Sequence, residues 1–151
     1  MEDRHDAYCG LYCGSCTAFL ATKENRIKEL ADEWQRPVED VECHGCKSEK
    51  LAVYCRTCAL KQCARQKGLE FCFQCAEYPC PQLDEFKNSA DYPYHSEVYD
   101  YMDMIAEHGT DYWLEQMKRR WSCGSCGREH SWFTPACREC GGDLDTYKKT
   151  Q

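Results

Sequence analysis

Twelve cysteines of this chain are arranged as CxxC pairs, a spacing that suits metal binding. Two thiolates separated by two residues reach the same ion from one tight turn, and two such turns complete a tetrahedron around zinc. The six pairs are Cys13/Cys16, Cys43/Cys46, Cys55/Cys58, Cys72/Cys75, Cys123/Cys126 and Cys137/Cys140. The sequence therefore predicts metal-binding knuckles whose chemistry is thiolate coordination.

The last two pairs predict the clearest single site. Ten residues separate Cys126 from Cys137, and a glycine follows each pair in "CGSCGREHSWFTPACRECGG". This pattern is typical of a zinc ribbon, in which Cys123, Cys126, Cys137 and Cys140 bind one ion. The segment "SWF" between the pairs is expected to supply a short strand. Because four cysteines already complete a structural site, we interpret His130 as a surface histidine of the ribbon loop.

The other four pairs predict two further four-cysteine sites. The simplest pairing joins neighbours along the chain: Cys13, Cys16, Cys43 and Cys46 in one site, and Cys55, Cys58, Cys72 and Cys75 in the other. Interleaved pairings satisfy the same coordination geometry, and the spacing does not choose between them.

Three cysteines stay outside the pairs: Cys9, Cys63 and Cys80. The last two occupy equivalent positions of a 17-residue repeat, "YCRTCALKQC" at 54–63 and "FCFQCAEYPC" at 71–80. One alternative is a third metal site, with His5 or His44 as a further ligand. The other alternative is three buried thiols, because free cysteine is among the most buried residue types.

An iron–sulfur cluster is the alternative cofactor. Cys9, Cys13 and Cys16 have the CxxxCxxC spacing that radical enzymes use for a three-cysteine cluster. Those enzymes need a barrel of strand–helix units, for which this chain lacks the pattern. Pairs of CxxC suit zinc better. We therefore predict zinc, two to three ions or more per chain.

The composition explains why the chain needs metal. It has 151 residues, 15 cysteines and a mean hydropathy of -0.78, so burial of apolar side chains alone offsets the entropy of folding poorly. The odd number of cysteines and the lack of an apolar signal segment after Met1 favour reduced thiols in the cytoplasm over disulfides. No apolar run reaches the length of a membrane span.

Helices are expected to position the knuckles. Apolar residues at helical spacing predict one helix within 15–35. In the first copy of the repeat, a short helix is predicted to start near the second cysteine and to end near Gly68. In the second copy, Pro79 and Pro81 predict a turn first, followed by a short helix through Leu83 and Phe86. The segment "YCGSCTA" at 12–18 is a weaker third copy of this knuckle-then-helix unit.

Two longer helices are predicted after the knuckles. The first carries an apolar stripe at i, i+3, i+4 and i+7, formed by Val98, Tyr101, Met102 and Ile105. The second carries Trp113, Leu114, Met117 and Trp121. We interpret them as a hairpin that packs on the knuckles.

The predicted organisation has three parts: a Cys-rich knuckle/helix domain at 1–91, a helical hairpin at 92–121 and a zinc ribbon at 122–145. The predicted fold class is a small, metal-stapled, α-rich Cys-knuckle domain with a C-terminal β zinc ribbon, which is α+β with little regular sheet.

The order of motifs resembles a known family. "CGLYCGSC", then "CHGC", then "YCRTCALKQCARQKGLEFCFQCAEYPCPQLDEF" is similar to a prokaryotic Cys-rich family known as domain of unknown function 3795. The resemblance covers about residues 8–87. It implies a zinc-binding protein, with a C-terminal ribbon in some members. Because the family has no established activity, the resemblance implies no reaction.

The charge distribution limits the partners. The net charge is -7, with the acidic excess in 1–117 and a smaller basic excess in 118–151. "KRRW" at 118–121, with Arg128, Trp132 and Arg138, interleaves cations and aromatic rings as nucleic-acid surfaces do. The overall acidity disfavours that role. We therefore interpret the tryptophans as packing the ribbon against the helices.

We predict a zinc-binding protein with structural four-cysteine sites that serves as an interaction module for an unknown partner. An enzyme is less favoured, because no HExxH motif, P-loop or nucleophile elbow is present. Two alternatives stay open. One is an iron–sulfur or thiol-dependent redox protein that uses the region of Cys9, Cys63 and Cys80. The other is a metal store or chaperone.

Overall fold

The structure is a computed structural model, and it describes residues 4–147. Eight α-helices follow one another in this range: α1 (Thr17–Lys23), α2 (Ile27–Trp34), α3 (Val38–Val41), α4 (Val53–Arg56), α5 (Ala59–Gln66), α6 (Pro81–Lys87), α7 (Val98–His108) and α8 (Thr110–Arg120). Three short 3-10 turns lie at Cys13–Ser15, Cys72–Gln74 and Pro93–Glu97.

Three helices begin directly after a cysteine. Cys16 is the N-cap of α1, Cys58 that of α5 and Cys80 that of α6. The CxxC turns before them are closed locally, as where the N–H of Cys75 donates to the carbonyl of Cys72 at 3.1 Å. The predicted knuckle-then-helix unit is confirmed, and in the second copy α6 starts at Pro81, after the turn expected there.

Helix α5 ends as its sequence predicts. Gly68 follows the helix with φ of +68°, in the left-handed region that favours glycine. The N–H of Leu69 then donates to the carbonyl of Ala64 at 2.9 Å, which satisfies an orphan carbonyl of the last turn.

The single helix predicted within 15–35 is wrong, because the chain breaks it into α1 and α2. Asn25 takes a φ of +57°, which ends α1. Asparagine tolerates this conformation better than most residues. The N–H of Arg26 then donates to the carbonyl of Ala21 at 2.8 Å. The apolar spacing continues across the break, so periodicity alone does not detect it.

Helices α7 and α8 pack against each other, as predicted for the hairpin. All four residues of the predicted α7 stripe are buried. Trp113 and Met117 of α8 are buried on the facing side. Their cluster extends to Tyr12, Phe71 and Trp132, so it joins the hairpin to both the N-terminal and the C-terminal cysteine regions.

Two further apolar clusters hold the N-terminal cysteines. One lies among α1, α2 and α3 and includes the small side chains of Ala18 and Ala31 together with Val41. The other contains Leu83 of α6 and Met102 of α7, both fully buried. Cysteine side chains pack against both clusters, so the thiols lie at the edge of the core.

Regular β-sheet is absent from residues 4–147, where only isolated antiparallel bridges occur. The fold class is therefore helix-rich with almost no strand, as predicted. The strand expected at "SWF" is wrong, since Ser131 begins a turn instead. Its hydroxyl accepts the N–H of Phe133 at 3.2 Å and bonds Thr134 at 2.9 Å.

Candidate metal centre

Four sulfur atoms meet near the C-terminus. The Sγ atoms of Cys123, Cys126, Cys137 and Cys140 all lie within 4.8 Å of one another. We call them the four-thiol cluster. The Sγ atoms of Cys123 and Cys140 are 3.6 Å apart, and those of Cys126 and Cys137 are 3.5 Å apart. The structure thus brings together the cysteines that the sequence assigns to one site, in a group that can hold a metal ion.

Two turns with the same hydrogen-bond pattern build this cluster. In the first turn the N–H of Cys123 donates to the backbone carbonyl of Arg128, and in the second the N–H of Cys137 donates to that of Gly142, both at 2.8 Å. Each turn also closes at its glycine. The N–H of Gly127 donates to the carbonyl of Cys123, and that of Gly141 donates to the carbonyl of Cys137. Both glycines have positive φ, +81° and +76°, which explains why a glycine follows each pair.

Backbone N–H groups also point at the sulfur atoms. Those of Cys126 and Ser125 donate to Cys123 Sγ and lower the pKa of that thiol to about 6. The equivalent donors of the second turn lower the pKa of Cys137. Because the thiolate is the form that binds metal, these donors favour coordination.

The other two thiols of the cluster, Cys126 and Cys140, have raised pKa values. The N–H of Arg128 donates to Cys126 Sγ, but the neighbouring thiols raise the pKa of Cys126 to about 12. Four sulfur atoms at this separation cannot all carry a negative charge without a compensating cation. A divalent ion that replaces the protons would supply that compensation.

The prediction for His130 is half right. The residue lies outside the four-thiol cluster, so it is not a fifth ligand of that group. However, it is buried and not at the surface, with a ring nitrogen 3.0 Å from the carbonyl of Ser131. Its backbone N–H donates to Trp121, so this loop is tied to the end of α8.

Nine of the eleven remaining cysteines, all but Cys63 and Cys75, form two patches at the edges of the core. All fifteen cysteines are free thiols. The α1–α3 patch consists of Cys16, Cys43 and Cys55. The α6–α7 patch consists of Cys9, Cys13, Cys46, Cys58, Cys72 and Cys80. Within residues 4–147, only the four-thiol cluster gathers three or more candidate ligand atoms within 4.8 Å.

The structure divides the predicted knuckle pairs between these patches. Burial raises the pKa of Cys13, and the nearby charges of Cys46, Cys16 and Cys43 raise it further. These four thiols are therefore close to one another. Cys55 is also close to Cys16 and Cys43, whose charges add to burial in raising its pKa. Both the neighbour pairing and an interleaved pairing therefore stay predictions.

The two repeat cysteines outside the pairs are not equivalent. Cys63 lies inside α5, whereas Cys80 precedes α6 as its N-cap. Both are near Cys72, because burial and then the charges of Cys80 and Cys63 raise the pKa of Cys72 to about 12. Cys9 lies deeper and is buried. The third-site and buried-thiol alternatives for these three cysteines both stay open.

One basic residue near the knuckles was missed by the sequence reasoning. Lys67 Nζ lies 3.2 Å from Cys75 Sγ. The N–H of Glu77 and this ammonium lower the pKa of Cys75. Eight residues separate the two side chains, so the only signal in the sequence is that a basic helix end precedes the second repeat.

The tryptophans near the basic segment are part of the core. Trp121 and Trp132 are 1% and 5% exposed. The Trp132 ring stacks on Tyr94 with centroids 3.9 Å apart. This confirms the packing interpretation, and neither ring face is free to stack on a base.

The fold and the four-thiol cluster define a small helical protein with a group of thiols that can hold a metal ion. The chain belongs to the family described as "Protein of unknown function (DUF3795)", whose profile matches residues 5–85, more than half of the chain. No curated protein and no solved structure matches the chain. Within residues 4–147 no helix has the length and apolar character needed to cross a membrane.

Proposed function

We propose that the protein binds zinc through structural four-cysteine sites, and that the four-thiol cluster is a zinc ribbon. The main support is the meeting of four thiols from two turns that share one hydrogen-bond pattern. Zinc prefers four tetrahedral thiolates in structural sites, and donors to the sulfur atoms fix such ligands in place. Glycine after each pair fits the same interpretation.

A structural role is favoured over a catalytic one at this cluster. Catalytic zinc keeps one coordination position for water or substrate, whereas four cysteines fill the tetrahedron. We therefore propose that the metal holds a binding module together. A protein partner is favoured over nucleic acid, because the net charge is -7 and the two tryptophans of the basic region are buried.

We also propose further zinc ions among the N-terminal cysteines, for two to three per chain in all. The grouping of nine cysteines into two patches supports this count. Cys55 packs on the same cluster as Cys16 and Cys43, and Cys72 packs on the other, so an interleaved pairing of the knuckles is proposed beside the neighbour pairing. Metal binding would draw these thiols together, because each site needs four ligands around one ion.

The variant Cys137→Ser tests the ribbon. It removes a buried thiol and leaves the N-terminal cysteines unchanged. We expect one fewer tightly bound zinc per chain after dialysis against a chelator, since a structural site with three thiolates loses most of its affinity. The measurement is elemental analysis of metal per mole of protein.

Ser125→Ala is the matched control. It lies in the same turn, is exposed and contributes its backbone N–H to the cluster while its hydroxyl makes no hydrogen bond among the described residues. We expect its zinc content to equal that of the wild type. An unchanged zinc content in Cys137→Ser would contradict the proposed ribbon.

A further inference from the structure

A pocket of about 560 Å³ opens beside α5, away from the four-thiol cluster. Its charged lining consists of Lys47, Arg56, Lys61, Arg65 and Glu49, and Cys46 and Tyr8 complete part of its wall. We call it the α5 pocket. Four cations and a single carboxylate line it in a chain whose net charge is -7, so the local charge is opposite to that of the whole molecule.

Lys61 is the least expected residue of this pocket. Its side chain belongs to α5 and it is 6% exposed, which is rare for lysine unless the ammonium has a partner. Among the described residues, no side chain or carbonyl accepts a hydrogen bond or forms an ion pair with it. It is also the third residue of its helix, where the helix dipole disfavours a cation. Its aliphatic stem is buried while the ammonium, which is not fully enclosed, reaches the open pocket.

Arg65 lies one turn further along the same helix. Residues at i and i+4 share a helix face, so Lys61 and Arg65 both line the pocket. Arg65 is exposed and also has no hydrogen-bond or ion-pair partner within residues 4–147. The pocket therefore contains two adjacent cations without a hydrogen-bond or ion-pair partner among the described residues, and only the thiol of Cys46 is close enough to Lys61 to interact with its charge.

The other two cations of the pocket are already engaged. Lys47 contacts the carboxylates of Asp6 at 2.8 Å and Glu70 at 3.1 Å. Arg56 contacts Asp40 at 3.1 Å and the carbonyl of Leu51 at 3.0 Å. These contacts hold the walls in place, and they leave Lys61 and Arg65 to bind a ligand.

We propose that the α5 pocket binds a small molecule carrying a phosphate monoester, with Lys61 and Arg65 contacting the phosphate. Two free cations match the charge of a phosphate monoester, about -1.5 to -2 at neutral pH, better than that of a single carboxylate. Arginine presents a fork of donors that fits phosphate oxygens. The volume lies within the usual range of small-molecule sites and exceeds what a bare phosphate fills.

A nucleic acid does not fit this pocket as well. The free cations lie in a concave site on one helix and not along a stripe that could follow a phosphate backbone. The carboxylates of Asp40 and Glu70 contact its wall residues, and they would repel an extended polyanion.

Lys61 could instead serve only as a counter-charge for the thiols. It is close enough to Cys46 for its charge to act on that thiol. That role would explain the burial of Lys61, but it would explain neither the unpaired Arg65 nor the open volume in front of both. The two accounts differ in what happens when either cation is removed.

The test uses the full chain in its metal-loaded form. Glycerol 3-phosphate is titrated at about physiological salt while backbone amide shifts are recorded, with glycerol and citrate as matched ligands. We expect saturable shifts confined to the region of 46–65 with glycerol 3-phosphate only. Lys61→Gln and Arg65→Gln should each weaken binding about tenfold, because each removes a charge-assisted contact. Arg119→Gln, an exposed arginine paired with Glu115 on α8, should bind as the wild type does.

Metal content and thermal unfolding are measured on the same variants. If Lys61→Gln loses metal, the binding of glycerol 3-phosphate by Arg65→Gln is the result that decides the proposal. Arg65 is exposed, so its replacement should leave the metal sites intact. Absence of saturable shifts in the wild type, equal binding by Arg65→Gln, or equal shifts with glycerol would each overturn the proposal. Tighter binding of a single-stranded oligonucleotide at the same amides would also overturn it. The proposal does not depend on which metal the cysteines bind.

Discussion

The CHGC knuckle shows how strictly one residue can be specified. Gly45 has a φ of +110°, which residues with a Cβ atom rarely adopt. A Cβ atom there would lie 1.9 Å from the carbonyl oxygen of Arg4. The backbone N–H of Arg4 in turn donates to the carbonyl of His44. The glycine therefore lets the N-terminal segment lie directly on the knuckle between Cys43 and Cys46.

Replacement of Gly45 by alanine should be severely destabilising. The backbone conformation alone costs about 1–2 kcal/mol for a residue with a Cβ atom, and the clash with backbone adds to it. We expect Gly45→Ala to lower the free energy of unfolding by clearly more than that amount, measured by denaturant titration of the metal-loaded protein.

Gly68→Ala is the matched control for this substitution. Gly68 also has a positive φ, +68°, but no atom lies within 4 Å of the added Cβ. It should show only the conformational cost of about 1–2 kcal/mol. Equal losses in the two variants would contradict the role of the close approach at Gly45.

The burial of His95 predicts a pH dependence of stability that does not involve the thiols. Burial lowers the pKa of His95 to about 4, although its bond to the carbonyl of Phe86 opposes the shift. The unfolded chain, with a pKa of 6.5, takes up a proton that the folded protein refuses. Protonation of His95 therefore does not reduce the free energy of unfolding above pH 6.5. As the pH falls from 6.5 towards 4, the free energy of unfolding decreases, by about 3 kcal/mol in all.

The direct measurement is an NMR titration of the His95 ring nitrogens. We expect a neutral imidazole with its proton on Nδ1 throughout the range from pH 7 to 5, since Nδ1 lies 3.1 Å from the Phe86 carbonyl. His95→Gln should reduce the pH dependence of unfolding in this range. Titration of the ring near pH 6.5 in the folded protein would refute the burial argument.

The helices were predictable where local sequence decides them. The α7 stripe and the glycine after α5 are local signals, and both are confirmed. The break between α1 and α2 was not, because one asparagine in a left-handed conformation interrupts an apolar pattern that continues. The strand expected at "SWF" failed because Ser131 closes a turn there, with its hydroxyl bonded to the N–H of Phe133 and to Thr134.

Helix α8 offers a direct test of the hairpin packing. Trp113 is fully buried, with its ring 6.1 Å from those of Tyr12 and Tyr101. We expect Trp113→Ala to lower the free energy of unfolding by about 3–5 kcal/mol, through lost burial and the cavity left behind. The measurement is urea unfolding at constant metal loading.

Tyr112→Ala, the adjacent residue of α8, is the control. Tyr112 is 43% exposed, so its truncation should change the free energy of unfolding by about 0.5 kcal/mol or less. A loss of several kcal/mol in Tyr112→Ala, or a negligible one in Trp113→Ala, would mean that the hairpin packs through another face.

In the whole molecule, thiols lie at the borders of a modest core. Three apolar clusters connect α1–α3, α5–α7 and the hairpin, and cysteines border each of the first two. Arg128 links the C-terminal region to the rest through Glu24, and also contacts Glu139 within it, both at 3.1 Å. Metal at these borders would supply the stability that burial alone does not.

The four-thiol cluster forms where local spacing predicts it, whereas the pairing of the N-terminal thiols stays a prediction, and both have the same cause. Cys123 to Cys140 are held by hydrogen bonds within their own turns, which CxxCG spacing encodes. The partners of Cys55 or Cys72 depend on how separate helices pack, and nothing in their local spacing records that. The burial of Lys61 beside an open pocket is likewise a consequence of tertiary packing.

The most direct test of the central claim is metal analysis combined with an absorption spectrum, on protein purified without oxygen. We expect two to three zinc ions per chain, held through dialysis, and no visible absorption. About one zinc would confine metal to the four-thiol cluster, and variable, rapidly exchanging zinc would favour a metal store. A brown protein containing iron and sulfide, with absorption near 400 nm, would contradict the zinc account.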